Sequence, residues 1–456
     1  MPQRPQGVPP GQPAPAAGGD GSVAVTTSQD SRSRAGAALR TAAVVLAVVV
    51  CSGAVLFGAR LLTGAGVAPR TGTPPGVLDA RSVDPTAAAS AASAGGAGAR
   101  TVPGSNRLVA FGPLSLVDTR RSGVLAAGAG VPVQLPGLPP GSTAVLLSIS
   151  TLNAARPGAV TIGPTGAEVQ ALRLAAAGAQ ASTSVVVPVT VGTPLQARTE
   201  AGGHLLVHVV GVFEPVEASA GGRVVPVPAA RVLRLVPKTD GKDGVIQLAA
   251  VPALRGVGSV SAVLLQFGAD VGPRGGFVRV GARGGAVAQE VFWSATKGTD
   301  RSRGGLLLVP VSSGAVTVHY QAGTVLGVDL VGYVTDDSAA REVGGLAVPV
   351  PPAATPAPGG LTAVAAGRTA MVGVVPPAGV AGVPADRVDA ALVRVVAEGG
   401  DVAVGGAASG NPTLIAAKGV RRNTLALVDV AAGTVRVSSR AGAGVALTAQ
   451  AVILTP

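Results

Sequence analysis

The hydrophobic pattern of the chain is dominated by one stretch, residues 41–59. These nineteen residues carry no charge and lie between Arg40 and Arg60. As an α-helix they would be about 28 Å long, which is close to the ~30 Å hydrocarbon thickness of a bilayer. The pattern therefore predicts a single transmembrane helix. Because cationic flanks stay on the cytoplasmic side, we expect residues 1–40 to be cytoplasmic and residues 60–456 to be extracytoplasmic, at the plasma membrane.

A cleaved signal peptide would contain a similar apolar run, and small residues before Ala68 would suit cleavage. Signal peptides total about 15–30 residues, whereas 40 residues precede this run. A lipoprotein is disfavoured because Cys51 lies inside the run and follows Val50, which is not a small residue. We favour the uncleaved anchor and keep secretion after signal cleavage as the alternative.

The segments on either side of the predicted helix lack apolar periodicity. Residues 1–40 are rich in Pro, Gln, Gly and Ala, which predicts a disordered cytoplasmic tail. Residues 60–105 are mainly Ala, Gly, Ser, Thr and Pro, and cannot bury a core. We expect them to form a flexible stalk.

From Asn106 onward, short Val- and Leu-rich runs alternate with Gly and Pro, and the same landmarks return after about 120 residues. The landmarks are a strand core, a Gly-led strand, a loop glycine, a second apolar strand and a closing strand that follows an Ala-Gly turn. The strand core begins at Ala144, Ala262 and Ala390. This part of the chain therefore consists of internal repeats.

The spacing divides this part of the chain into three repeats, at residues 106–215, 224–335 and 346–456. Each is of ordinary domain size. Short strands separated by Gly/Pro turns predict an all-β fold: three tandem antiparallel β-sandwich or barrel-like domains. The runs VVVPV and LLVPV, at 185–189 and 307–311, are apolar on both faces, as central strands are.

Several segments of the first repeat form a recognisable set. They are Leu116–Arg120 (LVDTR), Ala144–Ser150 (AVLLSIS), Gly158–Gly166 (G-x-V-T-x-x-P-x-G), Val185–Val189 (VVVPV) and Val207–Phe213 (VHVVGVF). This set resembles a tandem module of exported actinobacterial proteins, which reads LDTR near its start and VDVVGYF at its end. The resemblance implies all-β units attached to secreted or wall-associated proteins, with no activity assigned to the module.

The later repeats depart from that module. The second keeps VDLVGYV at Val328–Val334 but has Arg234-Leu235-Val236 where Asp-Thr-Arg would fall. The third retains little beyond the rhythm of its strands. Since two of three copies lack the Asp118/Arg120 pair, we interpret that pair as a structural clamp in a turn.

Charge and composition limit the classes of function that are compatible with the sequence. The formal net charge is +12 and the pI about 11.2, while aromatic residues are only 2% of the chain. The basic pI would suit nucleic acid, but the predicted compartment and the scarcity of aromatics count against it. His204 and His208 would lie about 13 Å apart along a strand, too far to share a metal. We therefore predict no catalytic, metal or cofactor site.

The positive charge gathers in one loop of the second and third repeats, just before the central strand. Lys297, Arg301 and Arg303 in KGTDRSR match Lys418, Arg421 and Arg422 in KGVRR, whereas the first repeat has the uncharged AGAQAST. Arginine forks suit phosphate and carboxylate. These six residues are candidate contacts for an anionic envelope polymer or lipid headgroups, and solvated loops are the plainer interpretation.

The function expected from these observations is that of a membrane-anchored, non-enzymatic envelope protein that scaffolds or binds wall components. An accessory subunit that docks a membrane or wall-synthesis protein is the first alternative. An enzyme of unrecognised type is the second.

Overall fold

The computed structural model describes residues 102–216, 221–236, 241–270, 275–294, 302–311, 313–321, 325–352, 360–405 and 413–456. The all-β prediction is confirmed: this part of the chain forms β-strands and short 3-10 turns, with no α-helix. The predicted tail and transmembrane helix, and all but the last residues of the predicted stalk, lie outside the described residues. Within the described ranges, no helix is long and apolar enough to span a membrane.

The first repeat folds into two four-stranded antiparallel sheets. The strands are β1 (Asn106–Asp118), β2 (Gly130–Val133), β3 (Ala144–Leu152), β4 (Gly158–Gly163), β5 (Val169–Leu174), β6 (Ala181–Pro188), β7 (Leu195–Thr199) and β8 (His204–Pro215). The first, which we call the inner sheet, has the order β1-β8-β3-β6 and continues into the third repeat as part of one eleven-stranded sheet, whereas the other has the order β2-β7-β4-β5. An eight-stranded sandwich in this order is a jelly roll.

The second repeat has the same topology, with sheets β9-β16-β11-β14 and β10-β15-β12-β13. Its strands are β9 (Val224–Leu235), β10 (Lys242–Gln247), β11 (Val260–Asp270), β12 (Gly276–Ala282), β13 (Val287–Trp293), β14 (Ser302–Pro310), β15 (Ala315–Gln321) and β16 (Val325–Thr335). Trp293, the single tryptophan of the chain, is fully buried in this sandwich.

The third repeat is a jelly roll in which neighbouring strands have merged. Its strands are β17 (Ala347–Pro349), β18 (Thr362–Val364), β19 (Arg368–Gly373), β20 (Val388–Val404), β21 (Leu414–Asp429), β22 (Thr434–Ser439) and β23 (Ala443–Leu454). The long strands β20 and β21 each run through both layers of the sandwich, because β20 pairs with β23 at its start and with β22 at its end.

Each inner sheet contributes to two different cores. In β6, Val185 and Val187 pack inside the sandwich of the first repeat, while Val186 between them faces the opposite way. Side chains alternate between the faces of a strand, so an uninterrupted apolar run supplies both cores. The corresponding strands β14 and β21 alternate in the same way.

The second core, which we call the ring core, contains residues from all three repeats. Its equivalent positions are occupied by Ala144, Ala262 and Ala390, by Leu146, Leu264 and Leu392, by Val186, Leu308 and Leu427, and by Phe213, Val334 and Ile453. All are buried. The three inner sheets therefore cover one another's outer apolar faces.

The contacts in the ring core repeat from one pair of repeats to the next. Leu308 of the second repeat lies over Gly211 of the first, where an added Cβ would be 2.9 Å from its Cδ2 atom. Leu427 of the third repeat lies over Gly332 of the second in the same way, at 2.7 Å. These are the glycines of the closing VGVF and VGYV motifs. A side chain at either position would collide with the leucine of the next repeat.

The third repeat also contacts the first, so the three repeats form a closed ring. The buried amide of Val186 donates a hydrogen bond of 3.0 Å to Gln450 Oε1. At the other end of the sheet, Asn106 of β1 pairs with Ala347 of β17. The described residues from 102 to 456 accordingly form one compact unit. The strands fall within the three predicted ranges, and whether each group folds alone stays a prediction.

The LVDTR segment closes the turn after β1. Both carboxylate oxygens of Asp118 accept hydrogen bonds from the Arg120 guanidinium, at 2.9 and 2.7 Å. Buried Thr119 accepts a hydrogen bond of 2.9 Å from the amide of Leu205 through its hydroxyl group. The segment therefore joins the end of β1 to the start of β8, as expected of a structural clamp.

One histidine lies partly buried where the inner sheet of the first repeat faces the second. His208 of β8 sits between Ser115 and Ser148 on the neighbouring strands. Burial lowers its pKa below the ordinary 6.5, against the opposing effect of the carboxylates of Asp118 and Glu290. His208 is therefore neutral in the folded protein near pH 7.

We expect Gly332→Ala to lower the free energy of unfolding by about 1–3 kcal/mol, because its Cβ would overpack the ring core. Gly112→Ala is the control: it lies in β1 with nothing within 4 Å of an added Cβ. That variant should be neutral or slightly stabilising. Urea unfolding followed by the fluorescence of buried Trp293 measures both, and equal destabilisation would contradict the ring packing.

Acidification should destabilise the protein through His208. Below pH ~6.5 the unfolded histidine takes up a proton that the folded one resists, so stability falls as pH drops, by at most ~1.4 kcal/mol per pH unit. We expect the advantage of wild type over His208→Gln to shrink, or reverse, between pH 7 and pH 5. A difference that stays constant over this range would show that the folded histidine titrates normally.

Candidate functional site

The three repeats meet around a cleft, which we call the central cleft. Strands β6, β14 and β21, one from each repeat, contact one another there. The cleft is open to solvent. Residues at the start of β6 and β14 and in the middle of β21 line it, together with the end of β5 and part of β13.

The central cleft brings together three of the six basic residues singled out by the sequence. Arg303 lies in β14, paired with Ala269. Arg421 and Arg422 lie in β21, opposite Glu398 and Ala397. All three arginines line the cleft. The repeat alignment thus matched residues that are far apart in sequence and adjacent in space.

The other three predicted residues are not placed in the cleft. Lys418 is exposed in β21 but does not line the cleft. Lys297 and Arg301 lie outside the described residues. The third repeat also differs from the expected loop, because Lys418 and the two arginines belong to one continuous strand. A bulge between the Glu398–Arg421 and Gly400–Ala416 pairs takes up the intervening residues and turns Lys418 outward.

The local sequence explains how Arg303 of β14 can lie close to the arginines of β21. Gly304 follows Arg303 directly, and a Cβ at this position would collide with the Thr413 carbonyl of the third repeat. Gly305 likewise leaves room for the ring of Phe267. Two consecutive glycines therefore allow β14 to lie against β21.

The first repeat contributes Arg173, which the sequence analysis missed. It is exposed in β5 and lines the central cleft beside the three predicted arginines. Because the matching loop of the first repeat is uncharged, loop comparison could not find it. The available signal was an arginine that interrupts the apolar ALRL strand.

The electrostatic character of the cleft is basic. Four arginines line it, and its lining within the described residues includes no Asp or Glu. Arg421 Nε donates to Glu398 Oε2 at 2.6 Å, just outside the lining, and its side chain is 55% exposed. Guanidinium groups bind phosphate and carboxylate oxygens through paired N–H donors. The arrangement can therefore hold an anion.

His204 and His319 form structural contacts. His204 Nδ1 lies 3.2 Å from the carbonyl oxygen of Thr119, and His319 Nδ1 lies 2.6 Å from Asp243 Oδ1. Over the described ranges, no three His, Cys, Asp or Glu residues come together as metal ligands. The central cleft is thus the concentration of charge that calls for a functional explanation.

Comparison with known proteins adds little. No family model and no curated protein matches the chain. Among solved structures, a triple jelly roll protein from the turret of an archaeal virus is 9% identical and aligns over 77% of this chain and 90% of its own, with a TM-score of 0.16. A mutant oxalate decarboxylase from Bacillus subtilis is 12% identical and aligns over 51% and 79%, with a TM-score of 0.13. Likenesses this weak carry no argument about fold or function.

Proposed function

We propose that this protein is a membrane-anchored, extracytoplasmic and non-enzymatic component of the cell envelope that binds an anionic wall polymer in the central cleft. The observation that carries the proposal is the convergence of Arg173, Arg303, Arg421 and Arg422 on one cleft whose lining, in the described residues, has no carboxylate. Envelope polymers and lipid headgroups share the phosphate and carboxylate groups that arginine binds.

The position of the cleft favours a polymer over the lipid surface. The chain enters the ring at Asn106, which is level with Pro215 at the end of β8. The cleft lies at the opposite end of the inner sheet, where Ala181 begins β6 and pairs with Thr151. Along β8, about ten residues separate Pro215 from Leu205, the partner of Thr151, or roughly 33 Å. The ligand would therefore bind at the end of the ring away from the anchored chain.

The membrane anchor rests on residues 41–59, which have the length and the arginine flanks of a single-pass helix. In this proposal, residues 1–40 are the cytoplasmic tail and residues 60–105 lift the ring above the membrane. The anchor fixes the protein at the base of the wall, and the cleft binds the polymer that passes it.

Binding should depend on the predicted basic residues. We expect the full-length protein in detergent to be retained on immobilised poly(glycerol phosphate), but not on dextran. It should be released as salt approaches ~1 M, where the Debye length falls to about 3 Å. The variant with all six predicted residues changed to serine should bind at least ~10-fold more weakly, a loss of about 1.4 kcal/mol. Those residues are Lys297, Arg301, Arg303, Lys418, Arg421 and Arg422.

A control of equal charge removes six exposed arginines that do not line the cleft: Arg198, Arg234, Arg255, Arg283, Arg368 and Arg387. It should bind like the wild type. An equal loss in both variants would mean that net charge, and not the cleft, causes retention. Sedimentation with vesicles that contain phosphatidylglycerol tests the lipid surface, and stronger binding there than to the polymer would contradict the proposed ligand.

The topology is tested in whole cells. Protease added to wall-stripped cells should remove an epitope inserted after Val350 and spare one inserted before Arg32. This follows because the arginine-flanked segment keeps its N-terminal side in the cytoplasm. Recovery of a mature protein that begins near Pro69 from the medium would show cleavage and secretion in place of anchoring.

A further inference from the structure

The ring contains three corresponding strand positions, and only one of them carries a cation. The inner strands β3, β11 and β20 place Ser148, Gln266 and Arg394 four residues after the ring-core alanine. Their partners on the closing strands β8, β16 and β23 are His208, Asp329 and Thr448. The same backbone arrangement therefore bears different charges in the three repeats.

In the second repeat the charge at this position is balanced within the protein. Asp329 is 2% exposed and accepts a hydrogen bond of 2.6 Å from Arg231 Nε on the adjacent strand β9. In the first repeat, the Ser148 position has His208 as its partner, whose pKa is lowered by burial. Neither position leaves a permanent cation without an anion.

The third repeat is different. Arg394 Nη2 donates a hydrogen bond of 2.9 Å to Gln170 Oε1 of the first repeat. Its Nε atom is shielded from solvent and has no hydrogen-bond partner among the described residues. Burial lowers the pKa of Arg394 to about 10, so the side chain stays cationic at neutral pH. In the described part of the chain, no carboxylate forms an ion pair with it.

Arg394 lines a second cleft, the Arg394 cleft, between the third and first repeats. It shares Arg173, Arg421 and Arg422 with the central cleft. Gln170, Asn423 and Thr448 add neutral polar groups. Asn423 Nδ2 also donates to the carbonyl of Ala171, which ties the two repeats together at this wall. None of the described lining residues is acidic.

We propose that the Arg394 cleft binds a single phosphoryl group. The arginines come from three different strands, β5, β20 and β21, so they are not aligned along a single strand. A tetrahedral phosphoryl group presents oxygens in several directions, whereas a carboxylate presents two oxygens in one plane. This inference deepens the proposed function and rests on it for the source of the ligand: the phosphoryl group would be one link or end group of the wall polymer.

The test uses calorimetric titration of the full-length protein in detergent with inorganic phosphate, and with acetate at the same ionic strength. We expect saturable binding of one phosphate and at least ~10-fold weaker binding of acetate. Arg394→Gln places the residue that the second repeat carries at the same position, so the fold should accept it. This variant should lose at least ~10-fold in phosphate affinity.

Two further variants keep the result interpretable. Arg394→Lys retains the charge but not the fork and should bind with intermediate affinity. Arg368→Ala removes an exposed arginine outside both clefts and should bind like the wild type. Buried Trp293 reports whether each variant is folded. If Arg394→Gln unfolds the chain, Arg173→Ser must produce the loss of affinity instead.

The inference is overturned if phosphate does not bind saturably, if acetate binds as well as phosphate, or if wild-type affinity survives in both Arg394→Gln and Arg173→Ser. These outcomes are separable from the failure of the proposed function. Phosphate binding without polymer retention would remove the polymer as ligand and keep the phosphoryl site. Polymer retention without phosphate binding would keep the proposed function and remove this site.

Discussion

Each inner sheet of this protein is apolar on both faces, and its own sandwich can cover only one of them. Val185 and Val187 are buried inside the first sandwich, but Val186 would face water if the repeat stood alone. Exposing the three outer faces would cost about 25 cal/mol for each Å² of apolar surface. The repeats therefore pack against one another, and both clefts exist because this packing brings their strand ends together.

Much of the fold could be predicted from the sequence. Short apolar runs between glycines gave the all-β class, and the recurrence of Ala144, Ala262 and Ala390 gave the repeats. The run at 185–189 is apolar on both faces, which indicates a central strand. The layer that covers its outer face could not be identified, because the contact of Leu308 with Gly211 joins residues almost a hundred positions apart.

The residues of the candidate site could be predicted only where the same basic segment occurs in more than one repeat. Arg303 and Arg421 were found because two repeats carry the same basic segment. Arg173 and Arg394 were missed because neither has a counterpart in the other repeats, and a single arginine in a strand looks like an ordinary exposed residue. Their significance depends on the neighbour across the ring, such as Gln170 opposite Arg394. Departures from the repeat are as informative as the repeat itself.

The point at which the chain enters the ring has a mechanical consequence. Asn106 starts β1 at one end of the inner sheet, and the central cleft lies near the other end. A load between an anchored chain and a bound polymer would run parallel to the strands. The hydrogen bonds that join β1 to β8 are perpendicular to the strands, so they would share this load in shear and would not open one at a time. If the chain is anchored and binds polymer as proposed, the fold is thus suited to bear tension between membrane and wall.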